Sequence, residues 1–381
     1  MTNSDITAAY YGVNPVDKIY LGDELVWPTT PPEPVYSAMP LTFEIISGGT
    51  IRWNYSFTGL VPTSSKTIRY SKNGGEWITI TSQSAGPSAP TITVEAGDKI
   101  QFVGDNDTYT YVSGSSSGFS SFSMSSPGKY NVYGNIMSLV NSADYKNMTA
   151  MTSANTYAFN HLFANNSGLV SAENLVLPAI TLANNCYYYM FSECTNLTTA
   201  PELPATNSPK SCYVSMFEKC TNLTGGVTVI SARTIGDYAC FAMFRNCTSL
   251  VQAPELPATS IGLCGYYNMF WGCENLTSFQ PELSAKYLKD SSYEGMFYGC
   301  KRLTTAPELP NPSSYGSLTY AEMFYGSGVK YVKCLVKSPT SSRFNEWLRF
   351  APSTGTFIKD PSTTWERSDN GIPRNWTVVN N

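Results

Sequence analysis

Cys186-Tyr187-Tyr188-Tyr189-Met190-Phe191-Ser192-Glu193-Cys194-Thr195-Asn196-Leu197-Thr198-Thr199-Ala200-Pro201-Glu202-Leu203-Pro204 is one copy of a unit that recurs through the second half of the chain. Its marker returns as Phe163, Phe191, Phe217, Phe244, Phe270, Phe297 and Phe324, at intervals of 26 to 28 residues. Six of the seven copies place Met immediately before the Phe. A period of this length implies stacked coils, none of which can bury its own apolar face without its neighbours. Stability is then collective.

Within a unit, Tyr187, Met190, Phe191 and Cys194 are three and four residues apart, which predicts a helical turn with a common inward face. Leu197 and Leu203 supply the inward face of an extended piece. Pro201 and Pro204 bracket it, and proline neither donates to a strand ladder nor continues a helix, so each strand is short. With coils ~4.8 Å apart in the ladder direction, six steps predict a rod of roughly 29 Å.

Ile235-Gly236-Asp237-Tyr238-Ala239-Cys240-Phe241-Ala242-Met243-Phe244-Arg245-Asn246-Cys247-Thr248-Ser249-Leu250 resembles the BspA-like leucine-rich repeat, and the version ending Ala-Pro-Glu-Leu-Pro is similar to repeats of gut Bacteroides proteins and their phages. Ala9-Tyr10-Tyr11-Gly12, Ile19-Tyr20-Leu21-Gly22, Val26-Trp27 and Val132-Tyr133-Gly134-Asn135-Ile136-Met137-Ser138-Leu139 resemble segments of phage virion proteins. So do Gly355-Thr356-Phe357 and Gly371-Ile372-Pro373-Arg374-Asn375-Trp376-Thr377-Val378. The resemblance implies a leucine-rich-repeat solenoid of about seven coils in a fibre or appendage protein of a Bacteroides phage, with the crAss-like group as the candidate source.

Outward from the repeat, Gly326-Ser327-Gly328 replaces the Cys-containing turn, and Trp347, Trp365 and Trp376 are large enough to cover an open end. Upstream, Leu41, Phe43, Ile45; Ile51, Trp53, Tyr55; Ile68, Tyr70; Ile78, Ile80; and Ile100, Phe102 alternate with period two, which predicts half-buried strands of an all-β sandwich. Asn73-Gly74-Gly75 and Gly97-Asp98 are the turns between them. Residues 113–126, rich in Ser and Gly, are expected to be a mobile loop. Lys18-Ile19-Tyr20-Leu21 and Glu24-Leu25-Val26-Trp27 flank Gly22-Asp23 as a hairpin. A lone hairpin is marginal in water and needs a docking partner.

The expected fold class is therefore mixed β and α/β-solenoid, in five segments: an attachment hairpin (1–27), a proline-rich linker (28–35), a sandwich (36–140), the repeat (141–330) and a C-terminal cap (331–381).

The 381 residues carry 24 Lys plus Arg against 28 Asp plus Glu, for a net charge of −4, with no basic cluster. Nucleic acid and anionic membrane are disfavoured as partners. No apolar run approaches the roughly 20 residues of a membrane span, and Met1-Thr2-Asn3-Ser4-Asp5 lacks the character of a secretion signal. A single histidine, His161, leaves little for His-dependent catalysis or zinc ligation.

Cys194, Cys220, Cys247, Cys273 and Cys300 follow the repeat and are expected to be a ladder of reduced core thiols, with no metal. Glu202, Glu255, Glu282 and Glu308 form a candidate ligand-facing row. Catalysis by two of these carboxylates would need their pKa values driven apart, which equal environments oppose. Tyr187, Tyr213, Tyr266, Tyr293 and Tyr320 share one repeat position and read either as wall packing or as sugar-stacking rings. His161 reads as an ordinary capping or surface residue.

The expected function is a non-enzymatic virion protein, without cofactor, assembled in the host cytoplasm and acting as a homodimer or homotrimer. Ile19, Tyr20, Leu21, Val26 and Trp27 are the candidate contacts to other virion proteins, and the repeat adheres to a host surface glycan or protein. A bacterial or prophage-encoded surface adhesin and a polysaccharide depolymerase are the alternatives.

Overall fold

The computed structural model describes residues 10–11, 14–15, 19–21, 24–27, 35–58, 65–84, 89–113, 116–279 and 282–381. The chain divides into two compact units, Met1–Tyr36 and Ser37–Asn381. In the first, β1 (Tyr10–Tyr11) pairs antiparallel with β2 (Asn14–Pro15), and β3 (Ile19–Leu21) with β4 (Glu24–Trp27). Leu21 lies opposite Glu24, the register a two-residue hairpin requires. The Gly22-Asp23 turn and the proline linker over 28–34 lie outside the described residues.

The second unit opens with ten strands: β5 (Leu41–Ser47), β6 (Gly49–Thr58), β7 (Thr67–Lys72), β8 (Ile78–Thr81), β9 (Gln83–Ser84), β10 (Thr91–Val94), β11 (Lys99–Gly104), β12 (Thr110–Ser113), β13 (Ser116–Met124) and β14 (Lys129–Asn135). One sheet runs β10-β6-β13-β12, with β9 on β6; the other carries β14-β5-β11-β7-β8. Alternation decides what faces inward. Leu41, Phe43, Ile51, Trp53, Ile100 and Phe102 are buried as the period-two pattern requires. Ile78 departs from it, half exposed on the edge strand β8.

Residues 113–126 correct the sequence reading. They contain β13, paired with β6 over eight residues, with Ser121, Phe122 and Ser123 opposite Asn54, Trp53 and Arg52. Small side chains fit the packed interface, and Ser120 and Ser82 share a hydrogen bond of 2.8 Å between their hydroxyls. Composition alone reads such serines as solvent-loving, whereas here their polar groups are satisfied inside the sheet.

The leucine-rich-repeat reading, and with it the α/β-solenoid class, is also corrected. The protein is predominantly β, and among the described residues its helical elements are short 3-10 turns, such as Ile136–Leu139 and Tyr145–Asn147. No α-helix occurs among the described residues of the repeat. In the layer holding Phe191, the N–H groups of Asn185, Tyr187, Tyr189, Phe191 and Glu193 donate to Lys210, Cys212, Val214, Met216 and Glu218 carbonyls one layer on, at 2.8–3.0 Å. The intervening Tyr188, Met190, Ser192 and Cys194 donate three residues back, at 3.1–3.2 Å. A helix would keep every such bond within itself, four residues back. Asn185, Tyr189 and Glu193 take positive φ of 56°, 53° and 60°, which interrupts any right-handed helix every fourth residue. A four-residue turn period thus mimics helical spacing.

Parallel pairing is equally brief. β15 (Leu169–Ser171) and β16 (Leu175–Val176) pair with β14; β17 (Thr234–Ile235), β18 (Ser260–Ile261) and β19 (Tyr287–Leu288) pair in register. Elsewhere single bridges such as Thr199↔Gly225 and Val229↔Glu255 join the layers, so among the described residues no continuous sheet walls the repeat. At Gly226 the layers come so close that a Cβ would lie 2.2 Å from the Ala200 carbonyl oxygen. β20 (Tyr331–Cys334), β21 (Thr356–Lys359) and β22 (Thr377–Asn380) form a final parallel sheet over buried Trp347 and Trp376.

Packing holds the layers together. The seven marker rings stack in a single file with centroids 5.3–5.7 Å apart. Each is fully or almost fully buried, a gain of about 1.5–3 kcal/mol per ring. The file begins in the sandwich: Phe163 lies 6.0 Å from Phe43 and 5.9 Å from Phe122. One hydrophobic core consequently runs from Leu41 to Trp376.

Candidate functional site

The five repeat thiols sit in one environment. Each Sγ donates to the marker carbonyl of the preceding layer: Cys194 to Phe163, Cys220 to Phe191, Cys247 to Phe217, Cys273 to Phe244 and Cys300 to Phe270, at 2.9–3.2 Å. All are buried and unpaired by disulfides. Burial pushes Cys194 and Cys273 up to about 12, so these thiols keep their protons and lack nucleophilic character. No cluster of metal-ligating side chains occurs among the described residues.

The tyrosine column resolves to packing. Tyr187, Tyr213, Tyr266, Tyr293 and Tyr320 are buried, with centroids 5.9 Å apart at Tyr187–Tyr213 and Tyr293–Tyr320 and 6.0 Å at Tyr266–Tyr293. Ring faces covered in this way are closed to a sugar, which corrects the sugar-stacking reading of these five residues. His161 is held between Phe119 and Tyr189, whose centroids lie 4.2 and 5.0 Å from its own, and Nδ1 meets Asn160 Oδ1. Burial holds its pKa down to about 4, so it is neutral at physiological pH.

The glutamates do not form an equal row. Glu202 accepts from Thr228 Oγ1 at 3.1 Å, because the following layer carries Gly226-Val227-Thr228 where others carry Ala-Pro-Glu. Glu255 is exposed, and its backbone is tied to Thr228 and Ile230. Glu282 lies beside Glu308 across a parallel bridge. Glu308 itself is neutralised by Lys333, Nζ to Oε2 3.0 Å. A carboxylate pair for glycoside cleavage needs two groups with divergent pKa values. This row is instead interrupted by one hydroxyl, Thr228, and ends on the ammonium of Lys333.

Glu308 does open on a cavity of about 490 Å3 on the strand side of the stack. Successive layers supply its parts: Thr277, Ser278 and Phe279 from one, Thr305 and Pro307 from the next, and Tyr331 and Lys333 from β20. Phe279 is fixed edge-on against Phe270 and Phe297, at 6.0 and 5.0 Å. Tyr331 stays 40% exposed, offering ring surface. Apolar ring, hydroxyls and a charge pair together suit an amphipathic, polyhydroxylated ligand. Sequence reasoning found Glu308 but missed Tyr331, Lys333 and Phe279. The available signal was register: Lys333 occupies the row's next position after Glu308, where the acidic series changes sign.

Ile19, Tyr20, Leu21, Val26 and Trp27 lie on β3 and β4, in the register already given. What their side chains face lies outside the described residues. No helix among the described residues is long and apolar enough to cross a membrane. Comparison of the chain with protein-family models, with curated proteins and with solved structures gives no match in any of the three, so the likeness to BspA-like repeats of Bacteroides and their phages has no family match behind it.

Proposed function

We propose that the protein is a non-enzymatic structural protein of a phage virion, anchored by its first unit and using its layered region to adhere to a glycan or protein of the host surface. The observation that carries this reading is the single core running from Leu41 to Trp376. It makes the sandwich and the stack one stiff body whose wall presents the groove at Glu308, Lys333 and Tyr331 in fixed geometry. Preorganised ring and hydroxyl contacts lose little side-chain entropy on binding. The unit Met1–Tyr36, whose described residues form two two-stranded sheets, has the size of a docking segment. Copies joined there as a dimer or trimer would multiply weak contacts to a repetitive surface.

The test uses gradient-purified particles and the purified full chain. The chain is expected by mass spectrometry in the particles, and the isolated protein is expected to bind cells of the host strain without releasing reducing sugar. Absence from particles together with surface display on bacteria would move the protein to the adhesin class. Sugar release would make it a depolymerase.

A further inference from the structure

A second cavity, of about 410 Å3, lies at the C-terminal end of the stack and is built differently from the groove. Its lining includes Thr340 and Ser341 after β20, and Thr364, Trp365, Glu366 and Asn370 between β21 and β22. The size falls within the roughly 300–1,000 Å3 of ligand pockets.

The indole is held rigidly. Trp365 stacks on buried Trp347 at 5.7 Å with planes 22° apart, and meets Phe344 and Phe357 edge-to-face at 4.8 and 5.1 Å. It is only half-buried, and it forms part of the cavity wall. The polar groups are fixed too. Asn370 Oδ1 accepts from Glu346 N at 2.9 Å, which settles the amide's orientation and leaves Nδ2 without a hydrogen bond among the described residues. The Glu366 carbonyl accepts from Ile372 N at 2.8 Å, so the loop bearing its carboxylate is pinned.

We propose that this cavity is a subsite for a neutral saccharide residue, with Trp365 as the platform and Asn370, Glu366, Thr340, Ser341 and Thr364 as hydroxyl partners. A sugar presents an apolar C–H face and a polar rim, matching one indole ringed by hydroxyls, an amide and a carboxylate. None of the residues lining the cavity is cationic, and Glu366 repels anions, which disfavours uronic or sialic acids. A peptide would look for an open strand edge or a run of apolar pockets; this cavity is centred on a single ring. The inference rests on the adhesion reading above and names the ligand class and a place for it.

The experiment measures binding of the full chain to immobilised oligosaccharides ending in glucose, galactose, mannose or N-acetylglucosamine, with sialylated and uronate-ended chains as charged comparators. Binding to cells of the host strain is measured in parallel. Trp365→Ala removes the platform but also loosens Trp347. Thr364→Arg and Ser341→Trp, both at exposed positions, block the cavity without entering the core. At least one neutral class is expected to be retained, and each of the three variants is expected to weaken it more than tenfold, with the melting temperature of the two blocking variants unchanged.

Retention that survives both blocking variants, or that is lost only with Tyr331→Ala in the other groove, overturns the subsite while leaving adhesion intact. Retention of charged chains alone does the same, as does cell binding without any saccharide binding. Failure to bind either cells or saccharides would remove the adhesion reading itself.

Discussion

At the scale of single residues, the marker carbonyls show why cysteine recurs. Phe217 O accepts both Cys220 N, from its own layer, and Cys247 Sγ, from the next, at 3.1 and 3.0 Å. A buried carbonyl has two lone pairs, and the thiol takes the second without bringing the desolvation cost of a stronger polar group. Cys247→Ala is expected to lower unfolding free energy by about 1–3 kcal/mol through a lost hydrogen bond and a small cavity. Urea titration reads this, with Cys264→Ala expected within about 0.5 kcal/mol of the parent. Cys264 is the one cysteine that is not fully buried, so iodoacetamide should label it first in the native protein while the other nine wait for unfolding. Early labelling of the repeat thiols would contradict the ladder. His161 makes a prediction of opposite character. Its folded pKa of about 4 lies below the ordinary 6.5, so the unfolded chain takes up the proton first as pH falls. Stability is complete above 6.5 and declines through the window down to about 4, by at most about 3 kcal/mol, with a slope approaching 1.4 kcal/mol per pH unit. Asn160, Phe119, Tyr188 and Tyr189 surround the ring, and none of them is a carboxylate or a second imidazole. His161→Phe should flatten this part of the melting-temperature profile, and an unchanged slope would assign the loss to other groups.

At the scale of elements, the turn column separates what sequence reveals from what it hides. Burial of Tyr187, Met190, Phe191 and Cys194 was legible because a spacing of three and four places side chains on one face. Conformation was not, since a helix and a chain of turns with a left-handed residue every fourth position share that spacing. The two differ in where backbone N–H groups go, and a carbonyl one layer away leaves no local signature. The strand β13 escaped for a related reason: its serines are satisfied by partners distant in sequence, such as Asn54 Nδ2 to Ser123 Oγ at 2.7 Å. Of the candidate site, only Glu308 was readable, because Tyr331 and Phe279 lie outside the strict repeat and meet it only through stacking. Gly299 tests the turn assignment by sign. Its φ is +68°, and an added Cβ would come no nearer than 3.9 Å to any neighbour, so any cost is conformational rather than steric. In a helix, Gly→Ala stabilises by about 1 kcal/mol. In this column Gly299→Ala should destabilise by about 1–2 kcal/mol, while Gly299→Asn should lose less. Chemical denaturation of the three proteins decides between the two geometries.

At the scale of the whole molecule, the seam between sandwich and stack determines how the protein comes apart. The boundary expected near residue 140 falls within one continuous core. β14 pairs with β5 on one side and with β15 and β16 on the other, so the sandwich sheet is itself the template for the first layer. Phe122 N donates to Leu162 O at 2.8 Å, and Phe163 N donates onward to Met190 O at 2.9 Å. Phe163 thus touches both halves: its ring meets Phe43 and Phe122 behind it and Phe191 ahead at 5.3 Å. Stacked arrays generally unfold layer by layer when interfaces are weak and together when they are strong. Here the interface at the seam buries aromatic rings on both sides, which favours a single transition. Phe163→Ala should cost about 3–5 kcal/mol. Hydrogen exchange should report that cost equally at amides of β6 in the sandwich and at Phe217 and Phe244 in the stack. Two modules joined only by chain would instead leave β6 protection unchanged, because its own hydrogen bonds to β10 and β13 are untouched by the substitution. An equal loss at both places would mean that a force applied to the groove face of the stack is borne by the entire core rather than by a linker. That is the mechanical property the proposed adhesive role requires.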